Sequence, residues 1–471
     1  MVNPSELSHG PTASAHLRSR SFWLSTLPDG PARSPLEGDR EVDVAIVGGG
    51  TTGLWAAHYL LAADPTVRVL IIEADEVGFG ASGRNGGWCV GELAAGPERI
   101  EAAAGNAAAR RMLAALFDAV DEVGRVCHAS GIDCHYAKGG TIRVARRQPH
   151  LARFRDEVEH LHQRFGLTDD DIRLVDAHEA SAALSADAVI GGAVFAHTAA
   201  LQPARLVRGL ADAVEQQGAV IVEHTRALSI EPGAVVTDRG TVRAEMVVRA
   251  TEGYTSTVAG HQRTMAPLYS LMVATEPLDA DTWDSIGLAQ RQTFDDGRHL
   301  VIYGQRTADN RIAFGGRGAR YPFASKTNSR IESDSRAHDR IVAALRELLP
   351  QVRDADITHR WGGVLGIPRD WFPSVGCDRS AGMAWAGGYV GEGVAASNLG
   401  GRTVAELILG KTTPRTDLAW VDHRSRRWEP EPLRWIAING ALAGMGIGDR
   451  TEAQRDRSSR LAAVLQRLVR R

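Results

Sequence analysis

The sequence predicts an α/β fold in two parts: a discontinuous domain built on a parallel sheet, and an inserted α+β domain with a mixed antiparallel sheet. Three observations predict it. A strand, a glycine turn, a helix and a second strand follow one another from Glu41 to Glu73. A second glycine-rich turn between strand and helix stands far along the chain, from Gly387 to Gly393. Between the two turns, short β-branched runs alternate with amphipathic stretches. The chain has 50 glycines, and those of the two turns are too closely spaced for ordinary helix or strand interiors.

Length and composition bound the answer. The chain of 471 residues is too long for a single compact core. Hydrophobic residues make up 44% and charged residues 24%, which is the balance of a soluble globular protein and not of a disordered chain. Lys and Arg total 54 against 57 Asp and Glu, a net charge of −3, and the arginines are scattered. That balance gives no basis for a nucleic-acid or acidic-membrane partner. Cys89, Cys127, Cys134 and Cys377 form neither a CxxC pair nor a zinc spacing, so free thiols in a reducing compartment are expected. No apolar run approaches the roughly 20 residues needed to cross a bilayer. Residues 1–40, rich in Ser, Pro and Gly, read as a leader without the apolar core of a signal peptide. A cytoplasmic protein is expected; the oligomeric state is open.

The elements follow in order. Residues 42–47 read as a buried parallel strand, 54–63 as a helix stopped by Asp64-Pro65, and 67–72 as the next strand. Residues 98–130 read as helical, 139–144 as a strand, 150–165 as an amphipathic helix, and 204–217 as a third helix with Pro203 in its first turn. Runs at 219–223, 226–230, 234–237 and 245–249 return to the first sheet. Runs at 267–276, 299–305 and 311–316 build a second, antiparallel sheet. A helix at 336–349 ends at Pro350, strands at 357–360 and 383–386 follow, and a helix at 394–409 is closed by Gly410. Residues 428–435 read as a surface strap and 459–471 as a basic amphipathic helix, whose apolar stripe is open to its own domain, a partner subunit or a membrane, with packing on its own domain favoured. The first domain thus takes residues 41–97, 196–260 and 362–412. The inserted domain takes most of 98–195 and all of 261–361, and 413–471 form an extension.

The first turn carries the chemistry. Gly48-x-Gly50-x-x-Gly53 sits in the full context of a Rossmann-like dinucleotide fingerprint. Gly48 permits the tight turn, Gly50 lets a pyrophosphate approach the backbone, and Gly53 lets the helix pack close to the sheet. Gly49, Thr51 and Thr52 complete the turn, where free N–H groups and the positive end of the helix dipole meet phosphate. Glu73, 20 residues beyond Gly53 and followed by Ala74, is placed to accept hydrogen bonds from a ribose diol. The motif alone does not choose between FAD and NAD. The following loop, from Gly78 to Gly87, suits a flat ligand, with Ser82, Arg84 and Asn85 as donors. Arg84 is open to either a phosphate or an active-site contact.

With these residues in view, the chain resembles the FAD-dependent amine and amino-acid oxidoreductases of the D-amino-acid oxidase superfamily. The resemblance spans roughly residues 20–435. It rests on the 47–54 turn, Glu73, the 80–87 string, Ala250-Thr251-Glu252-Gly253-Tyr254-Thr255, and Gly387-Gly388-Tyr389 with Gly391-Glu392-Gly393-Val394. The Ala-Ser-Gly-Arg-Asn-Gly-Gly string is similar to the γ-glutamylputrescine oxidoreductase branch, which oxidises amines. The resemblance implies that Ser82, Arg84, Asn85, Gly86 and Gly87 pass near pyrophosphate and flavin. Ala227 would lie along the adenine, and Ala250 and Thr251 would close the cleft. Gly388, Gly391, Glu392, Gly393 and Val394 would face the pyrimidine end of the flavin ring. That last placement has its own physical reason: reduced flavin is negative there, and the 394–409 helix offers N–H groups and a positive dipole end. A second Gly-x-Gly-x-x-Ala fingerprint is not completed by another βαβ unit and ribose acid, which argues against an NAD(P)H-fed reductase. Cys89 and Cys377 sit in no pattern of covalent attachment, so FAD is expected to be held non-covalently.

On the substrate side, oxidation of a C–N bond in a small amine or amino acid needs orientation, an anchor for any anionic group and exclusion of water. Arg is the usual carboxylate anchor. Arg317, between glycines at the end of a strand, fills that role, and Tyr254, Trp361 and Tyr389 are candidates to wall the pocket. Tyr269, His197 and Lys138 are further candidates. Oxygen or an electron carrier would take the electrons. No metal site is expected. The alternatives are a flavin dehydrogenase of a hydroxy acid, a biosynthetic tailoring oxidase, or a non-catalytic FAD-holding module.

Overall fold

The computed structural model describes residues 21–465 except 29, 31, 318, 328, 461 and 463. The leader up to residue 20, and residues 461, 463 and 466–471 of the expected amphipathic helix, lie outside the described residues. Two large sheets organise the rest. The first runs Ser374–Asp378, Met383–Gly387, Thr241–Arg249, Arg40–Val47, Val69–Ile72 and Val220–Val222 from edge to edge. The pairings from Met383–Gly387 through to Val220–Val222 are parallel. Parallel strands are covered on both faces, so Ala45, Ile46, Val47 and the whole of Val69–Ile72 are buried. Ala227–Glu231 and Ala234–Thr237 add an antiparallel ribbon to Thr241–Arg249.

The second sheet runs Ile357–Ile367, Ala266–Thr275, Ile312–Arg317, Ile302–Arg306, Thr293–Asp295, Thr141–Ala145, Gly191–Phe195 and Ile172–Val175. Every pairing is antiparallel except that of Thr293–Asp295 with Thr141–Ala145. The α/β class, with one parallel sheet and one mainly antiparallel sheet, is therefore as the sequence predicts. The strand expected at 357–360 is longer, Ile357–Ile367, because it pairs along nearly all of Ala266–Thr275. The helical stretch expected at 98–130 is two helices, Pro97–Ala104 and Asn106–Ala129, parted by Gly105 at φ 87°. The second of these packs on the first sheet's helical layer, through Met112, Leu116 and Val120.

The largest correction lies after the second turn. The surface strap expected at 428–435 gives way at Leu433 to a 23-residue helix, Leu433–Arg455. Its glycines hid it, since glycine costs a helix interior about 1 kcal/mol each. Tertiary contact compensates: Gly444 meets Leu465, and Gly448 meets Ala462 and Ser459. Asp449 accepts the backbone N–H groups of His299 (2.7 Å) and Leu300 (2.9 Å), which fixes the helix against the second sheet.

One buried ion pair ties the two sheets together. Arg84, from the loop after the first βαβ unit, donates to Glu332 at 2.6 Å, and both side chains are almost wholly buried. The Arg84 carbonyl accepts the indole N–H of Trp361 at 2.9 Å. Taking one partner away strands a charge in the interior, which costs about 3–5 kcal/mol. Glu332→Ala should therefore lower stability by about that amount in chemical denaturation, and Arg84→Met combined with Glu332→Leu should recover most of it.

Candidate functional site

The first site is built where the Arg40–Val47 strand ends. Gly48 takes φ 115°, and a Cβ there would meet the Ala250 carbonyl. Gly53 faces the Gly48 carbonyl so closely that no side chain fits, which brings the Thr51–Ala63 helix onto the strand. Gly50 is the N-cap and supplies no side-chain cap. A Cβ on it would lie 2.8 Å from Ser82 Oγ. Ser82 Oγ accepts the Thr51 N–H at 3.0 Å, so the glycine-rich loop is fastened to the helix start.

Glu73 closes one end. Its carboxylate accepts the N–H of Gly49 at 2.8 Å and of Asp75 at 3.0 Å. Burial pushes its pKa up to about 7, against the pull of those two N–H groups. Each carboxylate oxygen retains a lone pair after these bonds.

The other end is the second glycine turn. The Gly393–Ile408 helix begins at Glu392, again without a side-chain cap. It packs on the Thr51–Ala63 helix where Gly401 lies against Trp55. Ser397 Oγ donates to Thr51 Oγ1 (3.0 Å), and Thr52 Oγ1 donates to Tyr389 Oη (3.4 Å). The turn itself is held by Glu252, whose half-buried carboxylate accepts the N–H of Gly388 (2.9 Å) and Tyr389 (3.3 Å). Burial raises the Glu252 pKa to about 7. Glu252 was absent from the sequence-derived site residues; an acid three residues past the end of the Thr241–Arg249 strand is the signal that could have found it.

Both helix starts open onto one narrow cleft of about 170 Å³. Gly48, Gly50, Thr51 and Thr52 line it from the first turn, and Gly391, Gly393 and Val394 from the second. Glu73, Ala74, Ser82, Asn85, Ala227, Ala250 and Thr251 line it between them, as do Tyr254 and Tyr389. Gly49, Gly53 and Gly388 stand behind its wall. Arg84 does not reach it, because its guanidinium is taken up by Glu332 and lies over the Phe79 ring at 5.1 Å. Gly86 and Gly87 also lie outside the lining; Gly86 lets the loop pass the Tyr303 ring, and its carbonyl accepts from Gln305 at 2.7 Å. Trp361 is buried in packing with Trp23, at 6.2 Å between ring centroids, and walls neither cavity described here.

A second cavity, of about 470 Å³, meets the first at Leu365, which lines both. Arg317 and Tyr269 line this second space. Arg317 Nη2 donates to the Val390 carbonyl at 2.7 Å, and a Cβ on Gly391 would lie 2.9 Å from the same nitrogen. Arg317 makes no ion pair within 4 Å among the described residues. Glu392 lies within electrostatic reach of it, and burial raises that carboxyl's pKa above the ordinary range. His197 pairs with Asp171 (2.8 Å) and stacks on Phe117, and Lys138 pairs with Asp121; both are remote from the two cavities.

The cleft suits a dinucleotide carrying a flat ring. It offers two helix N-termini without side-chain caps, a glycine floor that a Cβ would block, and an acid at a ribose distance along the chain. Among the described residues lining the cleft there is no Cys or His to form a covalent link.

Comparison with known proteins agrees with this chemistry. The family model described as FAD dependent oxidoreductase matches residues 43–407. The chain is 33% identical over 407 residues to the probable oxidoreductase OrdL of Rhizobium meliloti (strain 1021), covering 83% of this chain and 89% of that protein. It is 30% identical over 373 residues to the gamma-glutamylputrescine oxidoreductase of Escherichia coli (strain K12), covering 78% and 84%. In fold it is similar to glycine oxidase from Geobacillus kaustophilus, with a TM-score of 0.66 at 21% identity over 79% of this chain and 96% of that one.

The raised Glu73 pKa has a pH signature. Below about pH 7 the side chain is protonated and accepts poorly from hydroxyl groups; above it the carboxylate is available. FAD affinity, measured by fluorescence titration of the stripped protein, should rise as pH climbs through 7. Glu73→Gln should bind more weakly and flatten that rise. Without FAD the sign reverses: a carboxyl whose folded pKa is raised makes the protein less stable as pH increases from its ordinary range near 4.5 to about 7.

Proposed function

The chain belongs to the FAD-dependent oxidoreductases of the D-amino-acid oxidase superfamily, and on that footing we propose that it oxidises a C–N bond in a small amine or amino acid. The observation that carries this reading is the convergence of Gly50 and Gly391, each at the start of a helix, on one cleft that meets a second cavity at Leu365. Bound FAD would accept a hydride from the C–H next to the substrate nitrogen, leaving an imine that hydrolyses to a carbonyl compound. FAD would be non-covalent, and oxygen or an electron carrier would restore it.

The chain's own residues divide the remaining work. Gly48, Gly50, Thr51 and Thr52 would hold the pyrophosphate, and Glu73 the adenosine ribose. Gly391, Gly393 and Val394 would present the second dipole end to the ring. Arg317 would anchor a substrate carboxylate: it lies against Gly391, with one N–H spent on Val390 and no carboxylate paired to it among the described residues. Half-buried Tyr254 and buried Tyr389, in the cleft wall, keep their phenols protonated and would exclude water. The similarity to a relative named for γ-glutamylputrescine supports an amine as the reacting group.

Two measurements test this. Anaerobic addition of a panel of amines and amino acids to the FAD-loaded protein should bleach the flavin absorbance with at least one of them; a panel that includes hydroxy acids and bleaches only with those would overturn the C–N assignment. Arg317→Met should raise KM for acid-bearing amines by about 10- to 150-fold, the worth of one or more hydrogen bonds to a charged group. Amines without a carboxylate should be far less affected.

A further inference from the structure

Resting on that reading, we propose that the substrate carries a bulky apolar tail beside its carboxylate, and that the Leu433–Arg455 helix is the wall that recognises it. The second cavity, at about 470 Å³, falls in the size range of small-molecule sites and is far larger than a glycine-sized substrate needs. Ala437, Ile438, Ala441, Leu442 and Met445 of the helix face it. Their spacing of i, i+1, i+4, i+5 and i+8 makes one continuous apolar stripe along the helix. Opposite stand Leu268, Ile367 and Trp371.

The charges in this cavity are placed unequally. Arg369 is paired with Glu429 at 3.0 Å and covers Trp428, and His299 is paired with Glu452 at 2.9 Å. Both are thereby committed to protein partners. Arg317 alone of the three lacks a carboxylate within 4 Å among the described residues, and it stands at the end nearest Gly391 and the cofactor cleft. A ligand that complements this space has an anion at the inner end and hydrocarbon along the helix. An amino acid with a long aliphatic or aromatic side chain has that form; a substrate bearing a second charge at its far end does not.

The helix lies beyond residues 43–407 that match the family model. It is also held firmly. Asp449 bonds to two backbone N–H groups at residues 299 and 300, Glu452 accepts from Arg153 at 3.0 Å, and Asn439 exchanges hydrogen bonds with Tyr321 at 3.0 and 3.1 Å. These contacts fix which stripe faces the cavity.

The test uses ligands that cannot react: straight-chain monocarboxylates from acetate to octanoate, titrated into the full-length FAD-loaded protein by calorimetry. Affinity should rise about fourfold for each added methylene until the cavity is filled. Ala441→Phe should reduce the octanoate-to-acetate affinity ratio at least tenfold, with melting temperature and flavin content reported alongside. Ala437→Leu, a smaller addition on the same stripe, should shift the ratio in the same direction and decides the matter if the phenylalanine variant does not fold. A wild-type affinity that is flat with chain length, or ratios unchanged in the folded variants, would overturn the proposal. The outcome is separable from the amine-oxidation reading: length-dependent binding without flavin bleaching by any amine would sink that reading and leave the cavity assignment standing.

Discussion

The structure depends on how closely two helix starts are brought together. The Thr51–Ala63 and Gly393–Ile408 helices come from opposite ends of the sequence, yet their N-termini share one cleft. Two features permit this. Gly401 lets the helices touch at Trp55, and hydrogen bonds from Ser397 to Thr51 and from Thr52 to Tyr389 fix the relative rotation. Neither N-cap residue supplies a side-chain cap, and at the first helix start the Thr51 N–H is taken instead by Ser82 Oγ from the glycine-rich loop. Leaving two positive dipole ends side by side is unfavourable unless negative charge lies between them. The arrangement is therefore more readily understood as a preformed anion site than as packing for its own sake.

Two half-buried acids complement this. Glu73 and Glu252 line the cleft and each accepts two backbone N–H groups, one acid beside each glycine turn. Backbone donors, unlike side chains, hold their direction without loss of rotamer freedom, so each acid stiffens its turn. Arg84 and Glu332 do the same work on a larger scale, joining the loop that borders the cleft to the segment before the Ser335–Leu348 helix. Arg84 thus acts through the loop it fastens, and the cleft keeps its shape because a charge pair is locked outside it.

How much of this was legible in the sequence follows from distance along the chain. The first turn was readable in full, since strand, glycines, helix, strand and Glu73 lie within residues 41–73 and each carries its own local signal. The second turn was readable as a glycine-rich helix start, and the family resemblance placed it against the first. Arg84 was left open between phosphate and substrate because its partner Glu332 lies 248 residues away, beyond the reach of any spacing argument. Trp361 looked like a pocket wall by composition alone, whereas its indole N–H is bound to the Arg84 carbonyl inside the packing. The Leu433–Arg455 helix was missed for a physical reason: Gly440, Gly444, Gly446 and Gly448 weaken its intrinsic propensity, and what stabilises it is contact with segments distant in sequence.

That missed helix changes how the two cavities are understood. The cofactor cleft is made of backbone: glycines, helix starts and carboxylates that bond to N–H groups. The neighbouring space is made of side chains, chiefly apolar ones, and among the described residues Arg317 at its inner end has no carboxylate partner within 4 Å. The boundary between them is Gly391 and Leu365. Any side chain at Gly391 would press on Arg317 and take an unfavourable φ of 108°, so the glycine that shapes the second turn also leaves room for the Arg317 guanidinium. A cleft built of backbone recognises groups common to many ligands, whereas side chains differ in size and charge, and part of the side-chain-built space is supplied by a helix beyond the residues that match the family model.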